Sequence, residues 1–550
     1  MRFPSINEIF PKEWSLKLAL VVICLTLYLP HLGGRDLWAG RETLYAQVAR
    51  ETLQGNWIVP HFNGEIYFNK PPLYFWVIAL LSKPWGDVTE FTLRLPSALA
   101  AIGTVLVVFS LGEVLIGAGG GFLAGLILAS SPEFQKYACV AKLEMLLTFF
   151  VTASLACFYF GLDSASHKRW YFLWGWAFLA LSVFTKGIGI LIIPPVLGLY
   201  LLSRRELYRW REMEPFLGGL LFVSLLLCWL LPAQLYGGMS YTGGLVGHFK
   251  YHVGKPANFV KPVFYTMEVL AGTLPWSLIL IGFYAYWKLK IRPPSASLRT
   301  SLCGGRSEVG EGESLRFPVV WFLATFVLFS ISMEKRSRYL LPLYPALALV
   351  LGTLWNYYIA KAAPLWTWER WATVLAFGFC GGSFLGLVYA GLPVSWIVLL
   401  VGVCVLALTL LALWSRQYMV LFGSLFLFAM AFETTYCQLV LPRKSHAGQE
   451  RALCQEILQV MEPGASLTTY QSFNQDYVWY MKGRVKELSY KREFLNLFSS
   501  SERVYCLTDE EALLSLGSEA DVYKANVYKV KEFQRPGSHG SKLLLLSNRP

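Results

Sequence analysis

Long apolar runs recur along residues 1–440, separated by short polar stretches. A helix crosses the hydrocarbon of a bilayer with about 20 apolar residues. The pattern predicts spans near 15–31, 93–116, 119–133, 143–162, 169–184, 187–203, 215–236, 266–287, 317–333, 339–361, 370–391, 395–414 and 418–438. That amounts to about thirteen crossings, taken against the roughly 30 Å thickness each must cover. The 119–133 run is short and Gly-rich, and Gly121 and Gly125 form a small-xxx-small pair suited to close helix approach. Beyond about residue 440 the pattern changes to short apolar and β-branched runs, such as VYCLT and KLLLLS, set between polar segments. The predicted fold is therefore an all-α polytopic membrane protein with a small C-terminal α/β extramembrane domain. Its expected division is 1–440 in the membrane and 441–550 outside it.

Composition narrows the class. Of 550 residues, 55% are hydrophobic, 16% aromatic and only 15% charged, too few polar groups to cover a water-soluble globule. The net charge of +13 finds its explanation in the Lys and Arg that flank membrane helices and meet anionic head groups. No RNP, zinc-finger or helix-turn-helix pattern is present, so nucleic acid is not an expected partner. The basic residues at the N-terminus precede an apolar stretch without a small-residue cleavage site, so 15–31 reads as a retained first span. The ten cysteines lack CxxC spacing and most lie in apolar runs as small buried hydrophobes. Cys454 and Cys506 fall in the polar tail and are a candidate disulfide pair.

Basic residues orient the chain. With the N-terminus inside, Lys12 and Lys17, Lys168 and Arg169, Arg204, Arg205, Arg209 and Arg211, Lys288, Lys290, Arg292 and Arg299, and Arg416 all fall in cytoplasmic segments. The outer segments are then 32–92, 134–142, 237–265, 334–338 and everything after about 440. The first is long and amphiphilic, and its stretch Pro71 to Trp85 suits the membrane interface. Charges near a bilayer are costly, so their gathering on this face needs a reason. The loops carry RDLWAGRETLYAQVARE and NGEIYFNKPPLYFW; Glu133, Lys136, Lys142 and Glu144; His248, Lys250, His252, Lys255 and Lys261; and Glu334, Lys335, Arg336, Arg338 and Tyr339. A few carboxylates facing many cations suit transfer chemistry at a lipid phosphate. Cations hold the phosphate and a carboxylate takes a proton from the nucleophile.

The strings DLWAGRE, ARETLQGNWIVPHFNGEIYFNKPPLYFW, RLPSALAA, an acid opening the fourth span, TKG, and RYLLPLYPALAL together resemble the polyprenyl-phosphate-dependent glycosyltransferases. These are the GT-C membrane relatives of protein O-mannosyltransferases and of the lipid A aminoarabinose transferase. The resemblance covers roughly residues 30–350. It implies an inverting glycosyltransferase moving a sugar from a polyprenyl-phosphate donor to a lipid A-type, glycan or protein acceptor on the periplasmic face of a bacterial inner membrane.

Its residue roles carry over by position. The family's acidic pair in the first outer loop reads Arg41-Glu42 here, which makes Glu42 the catalytic carboxylate in place of the usual first acid, with Asp36 as second choice. Glu144 matches the family's second outer acid and is a further candidate catalytic carboxylate. Lys70 in NKPPL matches a donor-phosphate lysine, aimed by two prolines. Arg338 and Tyr339, with Lys335 in the same run, match a phosphate-facing segment, and His252 and Lys255 a basic stretch before the eighth span. Asn69 stands where an acid often precedes that lysine, and no DxD motif occurs, so neither a metal nor another cofactor is expected.

The residues also admit plainer roles. Glu42 pairs with Arg41, Arg50 or Arg94 to shape the loop; Glu144 is an interfacial charge; Lys70 snorkels to a head group; Lys335 to Arg338 anchor lipid; and Lys186 of TKG closes a helix or meets lipid phosphate. A transporter for a lipid-linked sugar is the rival function. It calls for internal repeats and ionisable residues in mid-span, and neither is evident.

Overall fold

The structure, a computed structural model, describes residues 13–37, 41–163, 167–253, 262–280, 315–331, 336–361, 407, 409, 411, 417–435, 447–514, 527–536 and 542–550. The spans expected at 370–391 and, for the most part, 395–414 lie outside the described residues, as do Lys255 and Lys335; His252 is described by its backbone alone. Two compact units emerge: residues 1–32, 68–74 and 94–440, and residues 33–67, 75–93 and 441–550.

The first unit is helical. Among the described residues, four helices are long and apolar enough to cross a bilayer: Glu90–Ala129, Leu143–Asp163, Pro215–Met239 and Ser337–Ile359. Shorter apolar helices are Gly189–Ser203, Arg316–Ile331 and Tyr418–Ala431. The expected boundary between 93–116 and 119–133 is a single break inside Glu90–Ala129, at Gly117 with φ 83° and ψ 163°. This conformation is open to glycine because no Cβ obstructs it. The chain folds back there, and Gly121 lies against the helical segment before the break so tightly that an added Cβ would meet the Phe109 carbonyl oxygen at 2.6 Å and the Glu113 nitrogen at 2.8 Å. Gly125 faces Leu20 in the same way at 2.9 Å. The small-xxx-small pair thus sits where helices approach each other.

Leu143–Asp163 and Lys168–Lys186 pack by ring-on-glycine contacts. Phe172 covers Gly161, Phe158 covers Gly175, and the Ser154 hydroxyl donates to the Gly175 carbonyl at 2.7 Å. This places the start of one helix beside the end of the other.

The second unit holds a five-stranded sheet in the order β4-β3-β5-β7-β6. The strands are β3 (Leu467–Tyr470), β4 (Lys486–Leu488), β5 (Tyr505–Asp509), β6 (Tyr528–Gln534) and β7 (Lys542–Ser547). β4, β3 and β5 run parallel, and β7 and β6 add antiparallel strands. Alternation along β5 sends Tyr505 and Leu507 to one core, with Leu453, Cys454 and Ile457, and Cys506 to the other, with Phe494 and Phe498. The two cysteines therefore lie on opposite faces of the sheet as free thiols, which rules out the disulfide expected from their polar surroundings. Burial raises both thiols well above the usual cysteine value.

Residues of the first loop complete this unit. Strands β1 (His61–Phe62) and β2 (Glu65–Ile66) form a hairpin whose Asn63-Gly64 turn has φ of 58° and 79°, the favoured two-residue chemistry for such a turn. Asn63 also binds the backbone of Val485 twice, donating to its carbonyl at 2.8 Å and accepting from its N–H at 2.9 Å. On helix Glu42–Leu53, Arg50 grips Asp87 through Nε at 2.8 Å and a second nitrogen at 3.2 Å, donates to the Trp479 carbonyl at 3.2 Å and stacks on the Trp479 ring at 3.6 Å.

Gly121→Ala is expected to lower unfolding stability in detergent by about 1–3 kcal/mol, because backbone atoms must shift to admit the Cβ. Gly198→Ala, whose Cβ would meet nothing within 4 Å, serves as the control and is expected to leave the thermal midpoint unchanged or raised.

Candidate functional site

Within the helical unit, charges collect where two helix ends meet. Glu144 lies in the first turn of Leu143–Asp163 and Lys186 is the last residue of Lys168–Lys186. Each helix end favours the charge it carries. Lys186 Nζ is 2.9 Å from Glu144 Oε1. Arg338, in the Ser337–Leu343 turn, brings its Nε within 3.2 Å of the same oxygen, in an ion pair whose angle falls outside hydrogen-bond geometry. The Tyr339 ring stands by both cations, 4.6 Å from Lys186 Nζ and 5.6 Å from the Arg338 guanidinium. The carboxylate is buried, at 7% exposed, and the two cations are partly buried, at 14% exposed each.

Two cations thus share one carboxylate, and among the described residues no other acid pairs with either. The surplus positive charge lies where water screens it little, an arrangement that favours an incoming anion. Close by in sequence, helix Pro132–Ala138 carries the Glu133–Lys136 pair at 3.1 Å. Its Tyr137 hydroxyl lies 3.5 Å from Ser337 Oγ. Burial, then the Glu133 charge, push the Tyr137 phenol above the usual tyrosine range, so it stays protonated. Lys70 is half-buried in the bend ahead of helix Leu73–Ser82 and belongs to the same unit. Phe68, two residues earlier, packs on Gly244.

Glu42 and Asp36 belong to the other unit. Glu42 opens helix Glu42–Leu53 and is wholly buried. Its oxygens lie 3.4 and 3.5 Å from the Arg35 guanidinium nitrogens. Of the partners considered from sequence, Arg50 binds Asp87, Arg94 donates to the Leu32 carbonyl at 2.7 Å, and Arg41 is exposed. Asp36 receives Arg451 of helix Ala447–Val460 at 2.6 Å.

The expected residues Glu144, Arg338 and Tyr339 are therefore brought together. Lys186, left undecided between helix closure and lipid phosphate, is the central cation of that cluster, and Arg35 went unremarked. Arg35 stands in the same RDLW string as Asp36, but only the fold turns it toward Glu42. No group of three or more His, Cys, Asp or Glu side chains able to hold a metal ion occurs among the described residues.

Comparison with known proteins agrees with the motif resemblance. Residues 69–231 match the family model described as dolichyl-phosphate-mannose-protein mannosyltransferase. An uncharacterized protein of Aquifex aeolicus is 32% identical over 351 residues, covering 62% of this chain and 64% of its own length. The undecaprenyl phosphate-alpha-4-amino-4-deoxy-L-arabinose arabinosyl transferase of Pseudomonas paraeruginosa is 30% identical over 356 residues, covering 62% of this chain and 59% of its own. The chain thus spans about three fifths of the curated relatives it matches. The crystal structure of ArnT from Cupriavidus metallidurans bound to undecaprenyl phosphate superposes with a TM-score of 0.76 at 19% identity, covering 97% of this chain and 98% of that one. The fold is that of a polytopic helical membrane protein.

Glu144→Gln is expected to destabilise the protein by about 3–5 kcal/mol, as loss of one partner from a buried ion pair does. The Glu144→Gln, Lys186→Met double variant is expected to unfold at a higher temperature than Glu144→Gln alone. With Lys186→Met alone as the fourth corner of the cycle, losses that simply add would mean that the two side chains are not energetically coupled.

Proposed function

We propose that the chain is an inverting membrane glycosyltransferase that moves a sugar from a polyprenyl-phosphate donor to a lipid A-type, glycan or protein acceptor. In this reading it is a GT-C enzyme of the bacterial inner membrane with about thirteen spans, in line with the length each needs. Residues 1–440 form the membrane domain, and 441–550 an α/β domain on the periplasmic side, where the acceptor is met. The basic residues of the cytoplasmic segments support that orientation, and the family match and the transferase names of the relatives support the activity. The same names give no support to a transporter.

The observation that carries the reading is the pair of partly buried cations, Lys186 and Arg338, held on the single buried carboxylate of Glu144 beside Tyr339. Such a surplus suits a phosphate monoester or diester. The acceptor oxygen attacks the anomeric carbon and loses its proton to Glu42, with Asp36 the alternative base. The bond from that carbon to the phosphate oxygen breaks, and the polyprenyl phosphate leaves with the bonding pair. Lys70, Arg338 and Tyr339, aided by Lys335, His252 and Lys255, stabilise the departing charge. Once that charge is neutralised, phosphate departs without a separate general acid. Glu144, already engaged by two cations, holds Lys186 and Arg338 toward the phosphate.

Purified protein given a labelled polyprenyl-phosphate sugar and native membrane lipid is expected to transfer label. Glu42→Gln is expected to lower the rate by about 10²-fold or more, the scale of general-base catalysis, and Lys70→Ala to reduce it strongly. Full activity in Glu42→Gln would remove Glu42 as the base, and absence of transfer by the unaltered protein across lipid A, glycan and protein acceptors would sink the assignment.

A further inference from the structure

Two buried acids in the loop-and-tail unit take no part in the chemistry above. Asp476, 1% exposed, lies in the first turn of helix Gln475–Tyr480 and accepts a hydrogen bond from the Thr43 hydroxyl. Thr43 directly follows Glu42 in the first turn of helix Glu42–Leu53. Asn474 links Asp476 to a second acid: its side-chain oxygen accepts from the Asp476 N–H at 3.1 Å, and its amide nitrogen donates to Glu450 Oε1 at 3.0 Å. Glu450 is 8% exposed, and its Oε2 is buried with no hydrogen-bond partner among the described residues. The titratable groups that act on Glu450 or feel its charge are Asp476 and Tyr477 of the facing helix, Cys454 on its own helix, and Arg535 at the end of β6. Arg535, the one cation of that set, also lies 3.5 Å from Asp509.

A lone buried carboxylate oxygen with no donor is costly when charged and cheaper when it carries a proton. Burial first, and then the charge of Asp476, push the Glu450 carboxyl up to about 7. Because the folded value lies above the ordinary 4.5, the stability Glu450 contributes is complete below 4.5 and is lost as pH rises through about 7.

We propose that Asp476 is a positioning residue for the helix that begins at Glu42, and that protonation of Glu450 governs how firmly Asp476 holds Thr43. With Glu450 neutral, the pair carries one negative charge and Asp476 keeps its bond to Thr43. With both ionised, repulsion between neighbouring buried carboxylates works against that bond and frees the first turn of the helix. The effect on transfer rests on the reading of Glu42 as base, whereas the effect on helix order does not.

The experiment uses the full chain in nanodiscs and follows amide exchange at residues 45–48, corrected for intrinsic rates, between pH 5 and pH 8. Protection in the unaltered protein is expected to fall at least about tenfold across that range, one unit of coupling being a factor of ten. Glu450→Gln is expected to flatten the dependence. Asp476→Ala is expected to lose protection at every pH, and Asp476→Asn, which keeps an acceptor for Thr43, to restore most of it. In the transfer assay Asp476→Ala lowers kcat with little change in donor KM, and Glu450→Gln broadens the pH profile on its alkaline side. An unchanged exchange profile in Glu450→Gln, or full protection in Asp476→Ala, overturns the proposal. If exchange responds as expected while Glu42→Gln keeps full activity, the hold on the helix stands and only the assignment of Glu42 falls.

Discussion

Charge is expensive to bury, and the helical unit spends two cations on one carboxylate. Lys186 and Arg338 both reach Glu144 Oε1, at 2.9 and 3.2 Å, in surroundings that leave each cation 14% exposed. A neutral cluster would need only one of them. Helix ends make the arrangement tolerable, since Glu144 lies at an N-terminal turn and Lys186 at a C-terminal one. The packing of Leu143–Asp163 on Lys168–Lys186, with rings laid over Gly161 and Gly175, sets those ends side by side. Helix packing thereby fixes the charge geometry, and that geometry suits an anionic ligand.

The loop-and-tail unit follows a different logic. Its sheet is stabilised by ordinary apolar cores on both faces, and the loop segments attach through Phe62, packed on one of those cores, and through polar groups. Arg50 on Asp87 and Trp479, Asn63 on Val485, Thr43 on Asp476 and Arg451 on Asp36 each join residues that the sequence keeps far apart. Such contacts are directional, so they specify where helix Glu42–Leu53 begins and how it is turned. Where two acids meet, burial and the charge of Asp476 push the Glu450 carboxyl up.

Much of the helical unit was legible because apolar period and length are local properties. The close approach at Gly121 follows from the small-xxx-small spacing visible in the chain. Long-range pairing was not legible. Lys186 and Glu144 lie 42 positions apart and Thr43 and Asp476 433 apart; no spacing rule connects either pair. Resemblance picked out Glu144, Arg338 and Tyr339, yet it left Lys186 undecided because a lysine before a helix-closing glycine has an adequate local explanation. The cysteines failed for a related reason. Their polar neighbourhood suggested a bridge, whereas strand alternation places Cys506 on the face away from Cys454.

The surplus charge at Glu144 is tested most directly by equilibrium binding of a polyprenyl phosphate to the full-length protein, with the uncharged polyprenol of equal length as competitor. The phosphate is expected to bind, the alcohol to compete poorly, and Lys186→Met and Arg338→Gln each to weaken binding by roughly tenfold to a hundredfold, about 1.4 kcal/mol for each factor of ten. Equal binding of the alcohol, or unaltered affinity in both variants, would contradict an anion site built on those two cations.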